Sequence, residues 1–413
     1  MGMLSVSEAQ QRLIADCEIC PVVTVPLEQC YQRVVADDIA AKMTQPPFDA
    51  SAMDGYALCQ DDTASLPVTL KVIGESAAGH PFDGSVRQGE AVRIFTGAEV
   101  PTGADVIALQ EDCERAGDQV TIREANPPAK FIRPKGYDFA LGDVLLDEGE
   151  QINYRHMTML ASMNVADVLV REKPRVGIIA TGDELCLPGR EPKAGQIVSS
   201  IPFGMKRLIQ EAGGEADFIG IALDNLASLD DHISRAEDYD ILVTIGGASV
   251  GDHDLVQQAL KNKGMTLDFW RIAMRPGKPL MVGSLKKADG GLQKVVGLPG
   301  NPVSALICTL MFVVPLIRST MNAKLVFARQ YFAKLSNDVP ENGPRQHYMR
   351  ALAEHDGSGS EDGAVLVRSL EDQDSSLQAK FAHSNGLIVR QPHAKAAKSG
   401  DLVEILPLNF GLF

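Results

Sequence analysis

The sequence predicts a multidomain α/β protein, and three observations carry that reading. From residue 173 to about 322, apolar runs at 176–180, 217–222, 241–245 and 295–296 alternate with helical periods at 203–211, 226–236, 255–261 and 303–317. Residues 45–141 carry short alternating runs at 68–73, 91–94, 106–109 and 120–122, set among glycines and prolines, as a small β domain would. Residues 323–413 return to short alternating strands around a Gly/Ser/Asp-rich turn at 356–363, and predict a small β barrel or sandwich.

The remaining segments are helical in pattern. Residues 1–44 open on Ser5 and Glu8, spaced as a capping box at the start of an amphipathic helix. Residues 142–172 regain a helical period at 154–163. The two stretches are expected to pack together as one discontinuous domain, with the β region inserted between them. Within the α/β part, parallel strands joined by crossover helices place their carboxyl-terminal loops on one edge, where ligands bind.

Composition narrows the function. The chain has 413 residues and a formal net charge of -15, with 45% hydrophobic residues. That balance argues against a nucleic-acid or membrane-surface role. No basic segment followed by an apolar core begins the chain, and the apolar run at 303–317 is short for a membrane span, so it reads as a buried helix. Seven cysteines fit a reducing, cytoplasmic compartment. The pair Cys17 and Cys20, placed on the first helix with Cys30 nearby, lacks a fourth ligand, with no His close in sequence, and reads as ordinary thiols rather than zinc ligands.

Four successive strand-end loops hold the candidate chemistry. They are Thr181-Gly182-Asp183-Glu184, Leu223-Asp224-Asn225, the run from Gly246 and Gly247 through Ser249 to Asp254, and Pro299-Gly300-Asn301-Pro302. Asn301 is a good N-cap, Pro302 suits the first helical position, and Ser304 follows one turn in. Glycines beside a helix start let backbone N–H groups face an anion. Glu184, Asp224 and Asp254 could hold Mg²⁺ against phosphate oxygens. Arg271, Arg275 and Lys278 add three cations on a stretch stiffened by Pro276, Gly277 and Pro279. The chain has no dinucleotide fingerprint, Walker loop or G-x-S-x-G nucleophile elbow.

These residues carry a family resemblance. Phe48-Asp49-Ala50-Ser51-Ala52-Met53-Asp54-Gly55-Tyr56-Ala57, Arg93-Ile94-Phe95-Thr96-Gly97-Ala98, Thr181-Gly182-Asp183-Glu184-Leu185, Arg275-Pro276-Gly277-Lys278-Pro279 and Gly297-Leu298-Pro299-Gly300-Asn301-Pro302-Val303-Ser304 occur in order over most of the chain. Together with the Gly246-Gly247 loop, Gln373-Asp374-Ser375-Ser376 and Ser384-Asn385-Gly386-Leu387, they resemble the molybdopterin molybdenumtransferase family, the MoeA type also found as the E domain of gephyrin. The resemblance implies a central α/β domain of molybdopterin-binding type within a four-domain homodimer. It implies that adenylylated molybdopterin and molybdate give molybdenum cofactor and AMP, with Mg²⁺ as cofactor.

Family positions fall on Asp54, Thr96, Arg133, Asp138, Glu184, Asp224, Asp254, Arg271, Arg275, Lys278, Pro299 and Pro302. Asp54, Thr96 and Asp138 are expected to act across the dimer. Lys278 with Ser304 is expected to hold molybdate, with Arg350 and Ser375 or Ser376 closing over it. A molybdopterin adenylyltransferase and molybdoenzyme-maturation proteins are the further partners implied. Two alternatives stay open: adenylylation of molybdopterin, and a scaffold that binds a protein partner. Three places depart from the family pattern: Ala50 for Asn, Arg271 and Arg275 for lysines, and Ser199-Ser200-Ile201 for an Asp/Ser-Asn motif.

Overall fold

The computed structural model describes residues 3–247, 255–355 and 365–408. Ser249, Asp254 and the turn at 356–363 lie outside the described residues.

The α/β domain is a six-stranded sheet in the order Glu215–Ala222, Arg175–Thr181, Ile241–Ile245, Leu292–Leu298, Met281–Lys286, Thr266–Phe269. Its first four strands are parallel, and the last two add as antiparallel neighbours. Arg175–Thr181 and Ile241–Ile245 are buried along nearly their whole length, as expected of strands covered on both faces. Helices α3 (Ile201–Glu211), α4 (Leu226–Ser234) and α5 (Leu255–Asn262) cover the sheet.

One further helix is the spine of the domain. It runs Pro302–Thr320, 19 residues, with 83% of its most apolar window buried. Its length and composition would also suit a membrane span, but here it is a core helix. Its ladder changes to a π turn over Thr309–Val313. Pro315 explains the change, because its ring excludes the carbonyl four residues earlier and it offers no N–H.

The first 44 residues depart from the helical expectation. Helix α1 (Val6–Ala15) has its Ser5/Glu8 capping box, but it is the sole α-helix among the described residues of that stretch. Its buried residues Val6, Ala9 and Leu13 pack into the α/β core rather than against residues 142–172. Cys17 and Cys20 therefore lie beyond the helix end, and all seven cysteines are free. After α1 the chain turns to strands. Val22–Pro26 pairs antiparallel with Asp167–Arg171, and Ile39–Ala40 with Val144–Leu146. Helix α2 (Tyr154–Ser162) packs in the same small core through Leu160. Alternating residues such as Thr24 and Val25 are compatible with either period, and pairing with a distant partner strand decided the outcome.

Between those paired strands lies a β domain with a six-stranded sheet, ordered Val106–Leu109, Gly55–Leu58, Glu90–Ile94, Val68–Ser76, Gln119–Ile122, Cys113–Ala116. The carboxyl-terminal region closes into a five-stranded barrel. Its strands run Gln346–His355, Val365–Ser369, Tyr331–Leu335, Leu402–Pro407, Gly386–Arg390 and back to the first. Met274–Arg275, from the α/β domain, joins the barrel sheet beside Gln346 and His347.

Candidate active site

The carboxyl ends of the four parallel strands open into a cleft of about 1010 Å³. Thr181, Gly182, Glu184, Asp224, Gly246, Gly247, Pro299, Gly300, Asn301 and Pro302 all line it, so the four predicted loops meet there as far as they are described. Ile197 and Val198 add an apolar rim that is 59% and 40% exposed.

Gly246 and Gly247 form the floor. Their φ angles of 92° and 64° lie in the left-handed region, which side-chain-bearing residues avoid. A Cβ on Gly246 would stand 2.8 Å from the Thr181 carbonyl oxygen, and Gly300 approaches the Gly246 Cα closely enough that its own Cβ would lie at 3.7 Å. Gly246 and Gly247 thus leave no room for a side chain, against Thr181 and Val256, while Gly300 lies in ordinary contact with Gly246.

Glu184 and Asp224 are the two acidic residues of the lining, and both are exposed. The Glu184 carboxylate folds over Gly182. Asp183 accepts a hydrogen bond from the Asp224 N–H at 3.1 Å and so ties the first loop to the second. No Lys or Arg belongs to the described lining. Two hard oxygen donors without a competing cation suit Mg²⁺, which takes one or two carboxylates together with phosphate oxygens. Glu184 and Asp224 therefore fit that ion.

The helix start behaves differently from expectation. Asn301 has extended backbone angles but makes no side-chain cap. Its Nδ2 donates instead to the Ser375 Oγ at 2.9 Å. The Val303 N–H donates to the Ser375 carbonyl oxygen at 3.1 Å, so one of the N–H groups expected to be free is already satisfied by the barrel domain. Ser304 is 4% exposed and does not line the cleft. Competition from a second domain, invisible in a local pattern, explains both departures.

Arg271, Arg275 and Lys278 are exposed, and none lines the cleft, although Pro279 does. The Arg271 guanidinium lies 4.7 Å from the Trp270 ring centroid, a cation–π contact. Arg350 departs most. It is 1% exposed, and its guanidinium donates to the carbonyls of Asp372 at 3.0 Å and Leu377 at 3.2 Å. It shapes the 372–377 turn from beneath and does not reach the cleft. Ser376 and Gln378 are the barrel residues in the lining, while Ser375 stands behind them.

A second polar cluster sits in the β domain. Thr96 donates to one Asp54 carboxylate oxygen through its N–H at 2.7 Å and its hydroxyl at 2.8 Å. Those two bonds hold the Asp54 carboxyl below the usual carboxylate range. Arg93 braces the turn, donating to the Gly55 carbonyl at 2.9 Å and lying over the rings of Tyr56 and Phe95. Arg133 pairs in register with Ala50, and both Arg133 and Asp138 are exposed. None of Asp54, Thr96, Arg133 and Asp138 lines the cleft of its own chain.

Sequence reasoning missed Gln378, whose Nε2 donates to the Ser200 Oγ at 3.0 Å across the cleft rim. A glutamine in a short helix gives no local signal. Ser200, one of the departures from the family pattern, is that bond's acceptor.

Comparison with known proteins agrees along the chain. Residues 4–164 match the MoeA N-terminal region (domain I and II), residues 177–319 a probable molybdopterin binding domain, and residues 333–408 the MoeA C-terminal region (domain IV). The molybdopterin molybdenumtransferase of Haemophilus influenzae is 33% identical over 412 residues, spanning 98% of this chain and 99% of that protein. Its counterpart in Nostoc sp. is 36% identical over 323 residues, spanning 77% and 74%. The crystal structure of the molybdopterin biosynthesis moeA protein from Pyrococcus horikoshii matches with a TM-score of 0.81 at 27% identity, over 98% of this chain and 100% of that one. With matches on both sides of the cleft as well as around it, the chain belongs to the MoeA family of molybdopterin molybdenumtransferases.

Proposed function

We propose that this chain inserts molybdenum into molybdopterin, taking adenylylated molybdopterin and molybdate as substrates and releasing AMP with the finished cofactor. The observation that carries the reading is the cleft at the strand ends: a glycine cradle of backbone groups, two exposed carboxylates and no basic side chain in its described lining. A pyrophosphate seated there meets main-chain dipoles rather than a lysine. Mg²⁺, held by Glu184 and Asp224, would neutralise phosphate charge and stabilise the departing AMP. Asp254, outside the described residues, remains the proposed third carboxylate.

The chain's own groups divide the remaining work. Gly246, Gly247 and Gly300 let the phosphates approach the backbone. Ile197 and Val198 offer an apolar shelf for a flat ring. Lys278, Arg275 and Arg271 are proposed to hold molybdate beside Pro279. None of the three forms an ion pair with a described carboxylate, so each keeps its charge for an anion.

Asp54, Thr96, Arg133 and Asp138 are proposed to serve the cleft of a second copy in a homodimer, since none of them lines the cleft of its own chain. Seven free cysteines fit a reducing cytoplasm. The test is AMP release from adenylylated molybdopterin by the purified full chain, with and without molybdate. Release that depends on molybdate is expected, and release that ignores it would refute molybdenum insertion.

A further inference from the structure

The turn that brings the barrel domain to the cleft is built as a rigid part. Gln373 accepts from the Arg350 N–H at 2.8 Å through Oε1, and through Nε2 donates to the carbonyls of Arg350 at 3.0 Å and Leu370 at 2.8 Å. Arg350 clamps the turn from below through the Asp372 and Leu377 carbonyls. Asp374 accepts from both the N–H and hydroxyl of Ser376, at 2.9 and 2.6 Å, which fixes the turn's tip. A segment held this way moves as one piece.

Three hydrogen bonds dock that piece on the α/β domain. Two are at Ser375, from the Val303 N–H and the Asn301 amide. The third runs from Gln378 to Ser200, the residue just before α3. Ser376, Gln378, Ser199 and Ser200 all line the cleft, so the two domains share its rim. Resting on the proposed function, we propose that Gln378 is a positioning residue for the reaction. Its bond to Ser200 holds the barrel turn against the start of α3 and keeps that side of the cleft closed over the bound pterin nucleotide.

The bond has a definite weight. A hydrogen bond between neutral groups contributes about 1 kcal/mol net, which is about fivefold in an equilibrium at ~1.4 kcal/mol per tenfold. Gln378 is exposed, so its truncation leaves no buried polar group and threatens no core. The same bond is removed from the other side by Ser200→Ala.

The experiment compares Gln378→Ala, Ser200→Ala and the double variant in the full chain, with two readouts. Hydrogen exchange in ligand-free protein is expected to speed up about fivefold around residues 199–203 in each single variant, and no further in the double. In turnover, KM for adenylylated molybdopterin is expected to rise about fivefold in each single variant, with kcat within twofold of the parent. The double variant should equal the singles, because one bond is lost once. Unchanged exchange would overturn the docking whatever the substrate is. Faster exchange with unchanged KM would overturn the positioning role, as would additive effects in the double. A parent chain with no molybdenum-dependent turnover would instead refute the functional reading, and the exchange arm would still decide the docking.

Discussion

Gly246→Ala is the perturbation whose cost can be worked most directly from the structure. Gly246 has a φ of 92°, and its N–H donates to the Leu298 carbonyl at 3.0 Å, so the residue is anchored to the end of the neighbouring strand. An alanine there adopts a left-handed conformation at about 1–2 kcal/mol. Loss of glycine's freedom in the unfolded chain returns about 0.4–1 kcal/mol. The new Cβ also stands 2.8 Å from the Thr181 carbonyl oxygen and 2.9 Å from its hydroxyl. Thr181 ends a buried strand of the sheet and cannot step back, so overpacking adds about 1–3 kcal/mol.

The net loss expected for the α/β domain is therefore about 1–5 kcal/mol, centred near 3. Gly264→Ala separates the two causes. Gly264 lies in the same domain just after α5, has a φ of 89°, and its Cβ would meet nothing within 4 Å. It carries the conformational cost without the collision and should lose no more than about 1.6 kcal/mol. The assay is urea unfolding followed by Trp270, the chain's single tryptophan, which packs against the α/β core. Equal shifts in the two variants would show that the close approach at the cleft floor is not real.

Further outcomes follow from the same geometry. Asp224→Asn and Glu184→Gln should each reduce turnover at least a hundredfold and leave the urea midpoint unchanged, because both side chains are exposed; retained turnover would remove them from the metal. Lys278→Ala should raise the molybdate concentration for half-maximal turnover about tenfold and leave the affinity for adenylylated molybdopterin within twofold, as separate titrations of the two ligands would reveal. His347 is 6% exposed, and burial, reinforced first by Arg275 and then by Arg345, Arg350 and Arg390, pushes its pKa down to about 4. The unfolded chain takes up this proton first, so the neutral ring's contribution is complete above about pH 6.5 and lost as pH falls toward 4. It amounts to about 3 kcal/mol, and His347→Gln should flatten the pH dependence of the unfolding midpoint between those limits. Light scattering at micromolar concentration is expected to give twice the chain mass. A monomer with full turnover would refute the shared site.

How much of this could be read beforehand depends on the range of the interaction that decides each element. The parallel strands and their helices were legible because buried strands and amphipathic helices write their periods into contiguous residues. The loop glycines were legible for the same reason: a left-handed backbone at Gly246 and Gly247 has few alternatives to glycine. Strand Val22–Pro26 was not, because its partner lies at Asp167–Arg171, across the whole inserted β domain. Nor was the fate of the Pro302 helix start. Asn301 has the residue type, neighbours and backbone angles of a cap, yet a serine of the barrel, 74 positions away, takes its side chain.

That last case bears on how the cleft acquires specificity. A helix start left to itself offers its N–H groups to any anion. Here the Ser375 carbonyl oxygen occupies the Val303 N–H, so the unselective site is partly withdrawn. The Gly246 N–H is likewise taken, by the Leu298 carbonyl, so what remains is the glycine floor at Gly247 and Gly300, flanked by two carboxylates that repel a bare anion. A lone phosphate gains little in such a place, whereas one that arrives with a divalent cation meets both the carboxylates and the cradle at once. The exposed cations of Arg271, Arg275 and Lys278 stand outside that lining, where the proposed molybdate site would lie. Closing the helix start with the barrel leaves the cleft floor and the exposed cations as distinct places, which fits the proposed binding of two anionic substrates.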